Sequence, residues 1–276
     1  MKNFVLRTVV GIAYVALLVG SLMMGPVSAC FFFGIVTWGT IMELCSVVNR
    51  HAGLHTLGLL TSTAGFLLVA FAWLWNFGDG ATLQCLALYG LLLLAMPVVG
   101  LYRRTGTSLQ DWMAMYAAQL YVAVPFALLS RLIAVEGTGY SYFLPLALFV
   151  FIWVNDTGAY LVGSMLHRRF PWKLFPSVSP NKSWVGSLGG GIATLLASVA
   201  CWHLDTGGHT LSVWLGFALV VVVSGTWGDL VESQVKRQLG IKDSGHILPG
   251  HGGLLDRFDS SLLAIPASVI YFCLVA

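Results

Sequence analysis

The feature that most limits what this chain can become is the recurrence of long apolar runs. Residues 4–24, 27–48, 54–75, 82–101, 110–130, 139–165, 184–204, 210–230 and 259–276 each approach the length of about 20 apolar residues that a helix needs to cross a membrane. The last is short. The solvent these runs require is lipid: charged residues make up only 9% of the 276, against about 25% in soluble domains, too few to cover a surface facing water. The expected fold is therefore an all-α polytopic membrane protein of about nine transmembrane helices. Residues 1–135 hold its N-terminal transmembrane helices and 136–276 its C-terminal transmembrane region, as one integrated membrane unit. The polar stretches 166–183 and 231–258 are too short to fold alone.

Val27-Ser28-Ala29-Cys30 resembles a leader cleavage site, but the apolar run before it is long for a leader and Phe31-Phe32-Phe33 follows it, so residues 4–24 are read as an uncleaved first transmembrane helix. With the N-terminus in the cytoplasm and nine alternating helices, thirteen of the fourteen Lys and Arg residues fall on the cytoplasmic side and only Arg131 falls outside. The small net charge of +3, with no basic stripe interleaved with aromatics, does not suggest nucleic-acid binding, and no nucleic-acid partner is expected. The five cysteines form no CxxC pair and are read as small apolar packing residues.

Reactive residues concentrate near the C-terminus. Asp229, Glu232, Ser233 and Lys236 are spaced to share one helical face, and Asp256 and Asp259 are again three apart. Such acid pairs at membrane depth repel unless a cation lies between them, and oxygen-only ligands favour Mg²⁺. Gly252 and Gly253 precede a helix start, where backbone amides favour phosphate. Lys242 and Arg257 flank them; His251 is either a phosphate donor or a turn residue. Asn155 and Asp156 interrupt an apolar run, and a buried Asp in such a run is expected to be functional. Ser179-Pro180-Asn181-Lys182-Ser183-Trp184 places a lysine before the next helix; Ser179 and Asn181 are either ligands or turn and capping residues. Glu43 stands alone in the second run, with no role assigned.

The run Ser233–Asp259, SQVKRQLGIKDSGHILPGHGGLLDRFD, closely resembles the signature of the phosphatidate cytidylyltransferase family, as do Asn155-Asp156-Thr157-Gly158-Ala159-Tyr160 and Ser179–Trp184. Where that family often carries an acid after the tryptophan, this chain has Val185. The resemblance implies transfer of CMP from CTP to phosphatidic acid, giving CDP-diacylglycerol and pyrophosphate in phospholipid biosynthesis. It implies metal ligation by Asp229, Asp256 and Asp259, with Mg²⁺ and K⁺ as the cations. Lys236, Arg237, Lys242, Lys182 and Arg257 would meet the phosphates, and Ser179, Asn181, Asp156, Ser233, His251, Gly252 and Gly253 would complete the substrate site. It further implies a homodimer in the cytoplasmic membrane with the site facing the cytoplasm. Two other readings of the same residues are a CTP-dependent lipid kinase and an ion-coupled transporter.

Overall fold

The computed structural model describes residues 2–77, 82–103, 108–135, 139–166, 168–205, 207–245, 247 and 252–275, with backbone alone for 2–5 and 135. Among these, nine helical segments are long and apolar enough to cross a membrane. They are α1 (Lys2–Met23), α2 (Pro26–His51), α3 (Gly58–Phe77), α4 (Thr82–Arg103), a fifth span made of α5 (Ser108–Ala118) and α6 (Val124–Ile133), then α7 (Phe143–Leu166), α8 (Trp184–Leu204), α9 (Leu211–Gln238) and α10 (Leu255–Val275).

Three features depart from the apolar pattern. The fifth span is not one regular helix: residues Gln119–Ala123 between α5 and α6 form a π-helical turn. Pro125 explains it, because it lacks an N–H and its ring would collide with the Tyr121 carbonyl in a regular helix. The polar stretch 166–183 contains a two-stranded antiparallel hairpin, β3 (Lys173–Phe175) with β4 (Ser179–Ser183), after a shorter pair, β1 (Ala134–Val135) with β2 (Gly139–Tyr140). The last helix begins at Leu255, so Asp256 and Asp259 both lie in its first turns and the span is of ordinary length.

The chain forms two compact units. The first comprises residues 1–142 together with 238–258, and the second 143–237 together with 259–276; the division based on sequence falls instead at 135/136. In the first unit, α2 packs on α3, and α3 on α4 and α6. Its centre is aromatic: Phe33 stacks with Trp73 and Phe126, and Phe258 lies edge-on to Phe126 and Tyr14.

In the second unit, α7 and α8 approach closely because glycines face each other. A Cβ at Gly158 would lie 3.0 Å from Gly190 Cα, and one at Gly190 would lie 2.7 Å from Asn155 Oδ1. Lipid supplies no hydrophobic drive to bring helices together, so backbone proximity at small residues takes its place. Ser183 ends β4 and caps α8 by accepting a hydrogen bond from Gly186 N–H at 3.2 Å. Between α8 and α9, Asp205 accepts from Gly207 N–H, His209 N–H, the His209 ring and the Trp214 indole. Burial disfavours its charge, but these hydrogen bonds outweigh that and hold Asp205 below its ordinary carboxylate range.

Two outcomes are expected in thermal unfolding of the detergent-solubilised protein. Gly190→Ala destabilises by about 1–3 kcal/mol through overpacking against Asn155, whereas Gly191→Ala, whose Cβ would meet Val222 at 3.5 Å, is neutral or slightly stabilising. Because the folded pKa of Asp205 is depressed, its stabilisation is complete above the unfolded value of about 3.9 and disappears as pH falls through the folded value. The gap in melting temperature between the wild type and Asp205→Asn therefore narrows below about pH 4.

Candidate active site

In the second unit Asp229, more than two turns before the end of α9, faces the first turns of α10 at Asp259. Gly228 is the reason: a Cβ there would lie 2.7 Å from the Asp259 carbonyl oxygen and 3.1 Å from Ser260 Cα. With hydrogen in that place the two backbones touch, and Asp229 comes within electrostatic reach of Asp259. Asp156 of α7 and Lys236 of α9 also act on the Asp259 carboxylate. Asp259 Oδ1 itself accepts from Ser260 N–H at 2.5 Å.

Cations hold this negative charge in place. Lys182 Nζ lies 2.5 Å from Asp229 Oδ2, an ion pair that joins β4 to α9. Ser233, one turn on, donates to Asp229 Oδ1 at 3.1 Å. Lys236 Nζ is 2.5 Å from Glu232 Oε2, whose side chain is only 1% exposed. The helical face expected for Asp229, Glu232, Ser233 and Lys236 is thus formed on α9, with its charges paired along it. Arg237 is exposed and directs Nε to the Val178 carbonyl oxygen at 3.4 Å, tying the end of α9 to the β3–β4 turn.

One expectation is corrected. Asp156 is exposed, and its neighbour Asn155 is the buried residue. Successive helical residues point about 100° apart, and the close α7–α8 contact at Gly190 falls on the Asn155 side. Asn155 Nδ2 donates to Thr226 Oγ1 at 3.4 Å. Ser179 is half-buried and Asn181 exposed on β4, with Lys182 between Asn181 and the capping Ser183 and half-buried.

In the first unit, Ser244 and Gly253–Leu255 surround a different pair of acids. Asp256 Oδ2 accepts from Ser244 N–H at 2.9 Å and from Gly253 N–H at 2.8 Å, and lies 2.9 Å from Ser244 Oγ. The Gly253 amide therefore serves Asp256. Gly252 takes a left-handed conformation, φ 83°, that ordinary side chains avoid. Lys242 and Arg257 are exposed. His251 lies outside the described residues.

The residue to which the sequence assigns no role is Glu43. It is buried in α2 and accepts from Leu254 N–H at 2.9 Å, from Leu255 N–H at 3.2 Å and from Ser244 Oγ. Its signal is present in the sequence all the same: a lone carboxylate inside an apolar span must be neutralised by something distant in the chain.

The donors are hard oxygens, which suit Mg²⁺. Among the described residues no three His, Cys, Asp or Glu side chains gather as a complete metal shell. Magnesium commonly takes one or two carboxylates and completes its shell with water and substrate phosphates, and the neighbouring Asp229 and Asp259 match that need.

Fold and site together define a polytopic helical membrane protein in which two carboxylates of α9 are paired with lysines. The chain belongs to the cytidylyltransferase family, whose model matches residues 5–275. A phosphatidate cytidylyltransferase of Staphylococcus aureus (strain COL) is 39% identical over 155 residues, covering 53% of this chain and 58% of that protein. One from Staphylococcus haemolyticus (strain JCSC1435) is 35% identical over 189 residues, covering 58% of this chain and 70% of that protein. The chain thus spans 58% of the first relative's length and somewhat more of the second's.

The two lysine pairs are expected to differ in worth. Lys182 and Asp229 are 26% and 28% exposed, so Lys182→Met costs at most about 1 kcal/mol. Lys236→Met removes the lysine from the buried Glu232 carboxylate and costs about 3 kcal/mol. Equilibrium unfolding of the two variants in the same detergent checks the order.

Proposed function

We propose that this chain transfers CMP from CTP to phosphatidic acid, giving CDP-diacylglycerol and pyrophosphate. The observation that carries the reading is the close backbone contact of Gly228 with Asp259 and Ser260, which brings the neighbouring Asp229 and its Lys182 partner to the start of α10, in a chain whose family match runs nearly end to end. The relatives named phosphatidate cytidylyltransferase support the choice of lipid.

In this reading a phosphate oxygen of phosphatidic acid attacks the α-phosphorus of CTP. A new P–O bond forms there, and the bond from the α-phosphorus to the bridging oxygen breaks as pyrophosphate leaves with that electron pair. The nucleophile is already an anion, so the residues have little proton transfer to perform. Their task is to bring two polyanions together and hold them in line. Lys182, Lys236 and Arg237 supply positive charge beside the carboxylates. Lys242 and Arg257 are assigned to the substrate phosphates on their charge and their place beside Gly252, Gly253 and Asp256 in the sequence, with bridging of the aspartates as the other role for Arg257, and Ser179, Asn181, Ser233 and Asp156 to the remainder of the site on their sequence positions.

Asp229 and Asp259 would hold Mg²⁺, with Asp256, one helical turn before Asp259, as the third acid named by the resemblance. The ion, when bound, neutralises phosphate charge and stabilises the charge that develops during displacement. K⁺ as a second cation and a homodimeric assembly belong to the same proposal. So does a site on the cytoplasmic face of the cell membrane, where CTP arrives from water and the acyl chains stay in lipid.

Purified protein in detergent, given phosphatidic acid and CTP labelled at either the α- or the γ-phosphate, tests the reaction. Expected is Mg²⁺-dependent entry of α-label into lipid, reduced at least about 100-fold in Asp229→Ala and Asp259→Ala, more than the loss usual for residues one shell out from a metal. Entry of γ-label would make the chain a lipid kinase and overturn the proposal, as would the absence of either label from lipid with folded wild type.

A further inference from the structure

Glu43 is far in sequence from every residue assigned to the reaction, yet its carboxylate is one of the most completely engaged in the first unit. It is 6% exposed, and among the described residues no lysine or arginine forms an ion pair with it. A buried carboxylate without a countercharge is costly unless several donors converge on it. Here they do. Leu254 N–H reaches Oε2, while Leu255 N–H and the Ser244 hydroxyl reach Oε1. Leu255 is the first residue of α10, so Glu43 meets amides that have no partner within their own helix, at the end where the helix dipole is positive. The cap comes from another helix, about two hundred positions earlier in the chain.

The surrounding loop is shaped to admit that carboxylate. A Cβ on Gly245 would lie 2.7 Å from Glu43 Oε2, and a Cβ on Gly253 would collide with both Glu43 oxygens. Glycine at 253 is therefore required by Glu43 itself. The loop then passes the constraint on. Ser244 Oγ lies against Glu43 Oε1 on one side and 2.9 Å from Asp256 Oδ2 on the other, and the amides of Ser244 and Gly253 both donate to that same Asp256 oxygen. Holding Ser244, Gly253 and the first turn of α10 in place holds Asp256 in one orientation.

We propose that Glu43 is a positioning residue for cytidylyl transfer: through Ser244 and the α10 amides it sets the orientation of the Asp256 carboxylate. This rests on the reading of the activity given above. Glu43 touches no substrate in this role, and it acts only by accepting. Glutamine is therefore a poor replacement, because its NH₂ would face an N–H or hydroxyl donor wherever it pointed.

The test compares wild type, Glu43→Gln, Ser244→Ala and the double variant, each confirmed monodisperse in detergent. Steady-state kinetics, Mg²⁺·CTP-dependent thermal stabilisation and hydrogen exchange of the segment before α10 are measured on each. Expected for Glu43→Gln is a fall in kcat of about 10- to 100-fold, typical of losing a group that orients a metal ligand, with KM for phosphatidic acid little changed. Mg²⁺·CTP should stabilise this variant less than wild type, and its Leu254 and Leu255 amides should exchange faster. Ser244→Ala keeps the α10 amides on Glu43 and the backbone amides on Asp256 but removes the hydroxyl that lies between the two carboxylates, so it should lower kcat in the same direction by less, and the double variant should be no worse than Glu43→Gln, as expected for groups acting in series. Wild-type kcat in folded Glu43→Gln, or purely additive losses in the double variant, overturns the role of Glu43. An inactive, folded wild type overturns the reading of the activity, and with it any role for Glu43 in that reaction.

Discussion

A carboxylate within a lipid-embedded helix has to find a partner where it stands, because bulk water and mobile salt reach it less than they reach a surface group. That constraint organises the polar part of this protein. The chain uses two answers. In the second unit Asp229 is matched by Lys182 and Glu232 by Lys236, the partners arriving from a hairpin in one case and from the next helical turn in the other. In the first unit Glu43 is matched by the amide end of α10 and by a serine hydroxyl. Charged partners are mobile, and strong only where they are buried; amide partners are fixed by the helix that carries them.

The two kinds of partner differ in freedom. The lysines on Asp229 and Glu232 are long, flexible side chains. The Glu43 cap has no such freedom, since its donors are backbone groups and its space is bounded by Gly245 and Gly253. Glycine does related work elsewhere. Gly228 lets α9 and α10 touch beside the acids, and Gly190 lets α8 lie against Asn155. In each case the useful property is the volume a side chain would have taken, which is why these positions are quiet in any reading based on charge or hydropathy.

Much of the fold is legible in the order of the amino acids. Hydropathy locates every span, because each helix in lipid must be long and apolar along its whole length. The spacing of Asp229, Glu232, Ser233 and Lys236 identifies a shared face because the helical repeat is local. The π turn at Gln119–Ala123 is harder to see in the apolar pattern, although Pro125 marks its cause. The choice between Asn155 and Asp156 is hidden as well, because both interrupt the same apolar run and only the packing of α8 separates them. Gly252 and Gly253 have the composition of an anion cradle; the structure directs the Gly253 amide to Asp256 and fills the space beside it with Glu43.

The class of molecule, the number of spans and the residues that carry charge are dictated by the sequence alone, since these follow from composition and from short-range periodicity. Which charge meets which is a matter of three-dimensional packing: Lys182 with Asp229, Glu43 with the start of α10, Asp259 within reach of Asp229. Those pairings join residues tens to hundreds of positions apart. They depend on side-chain volumes at helix contacts, and no local pattern of apolar and polar residues encodes that quantity.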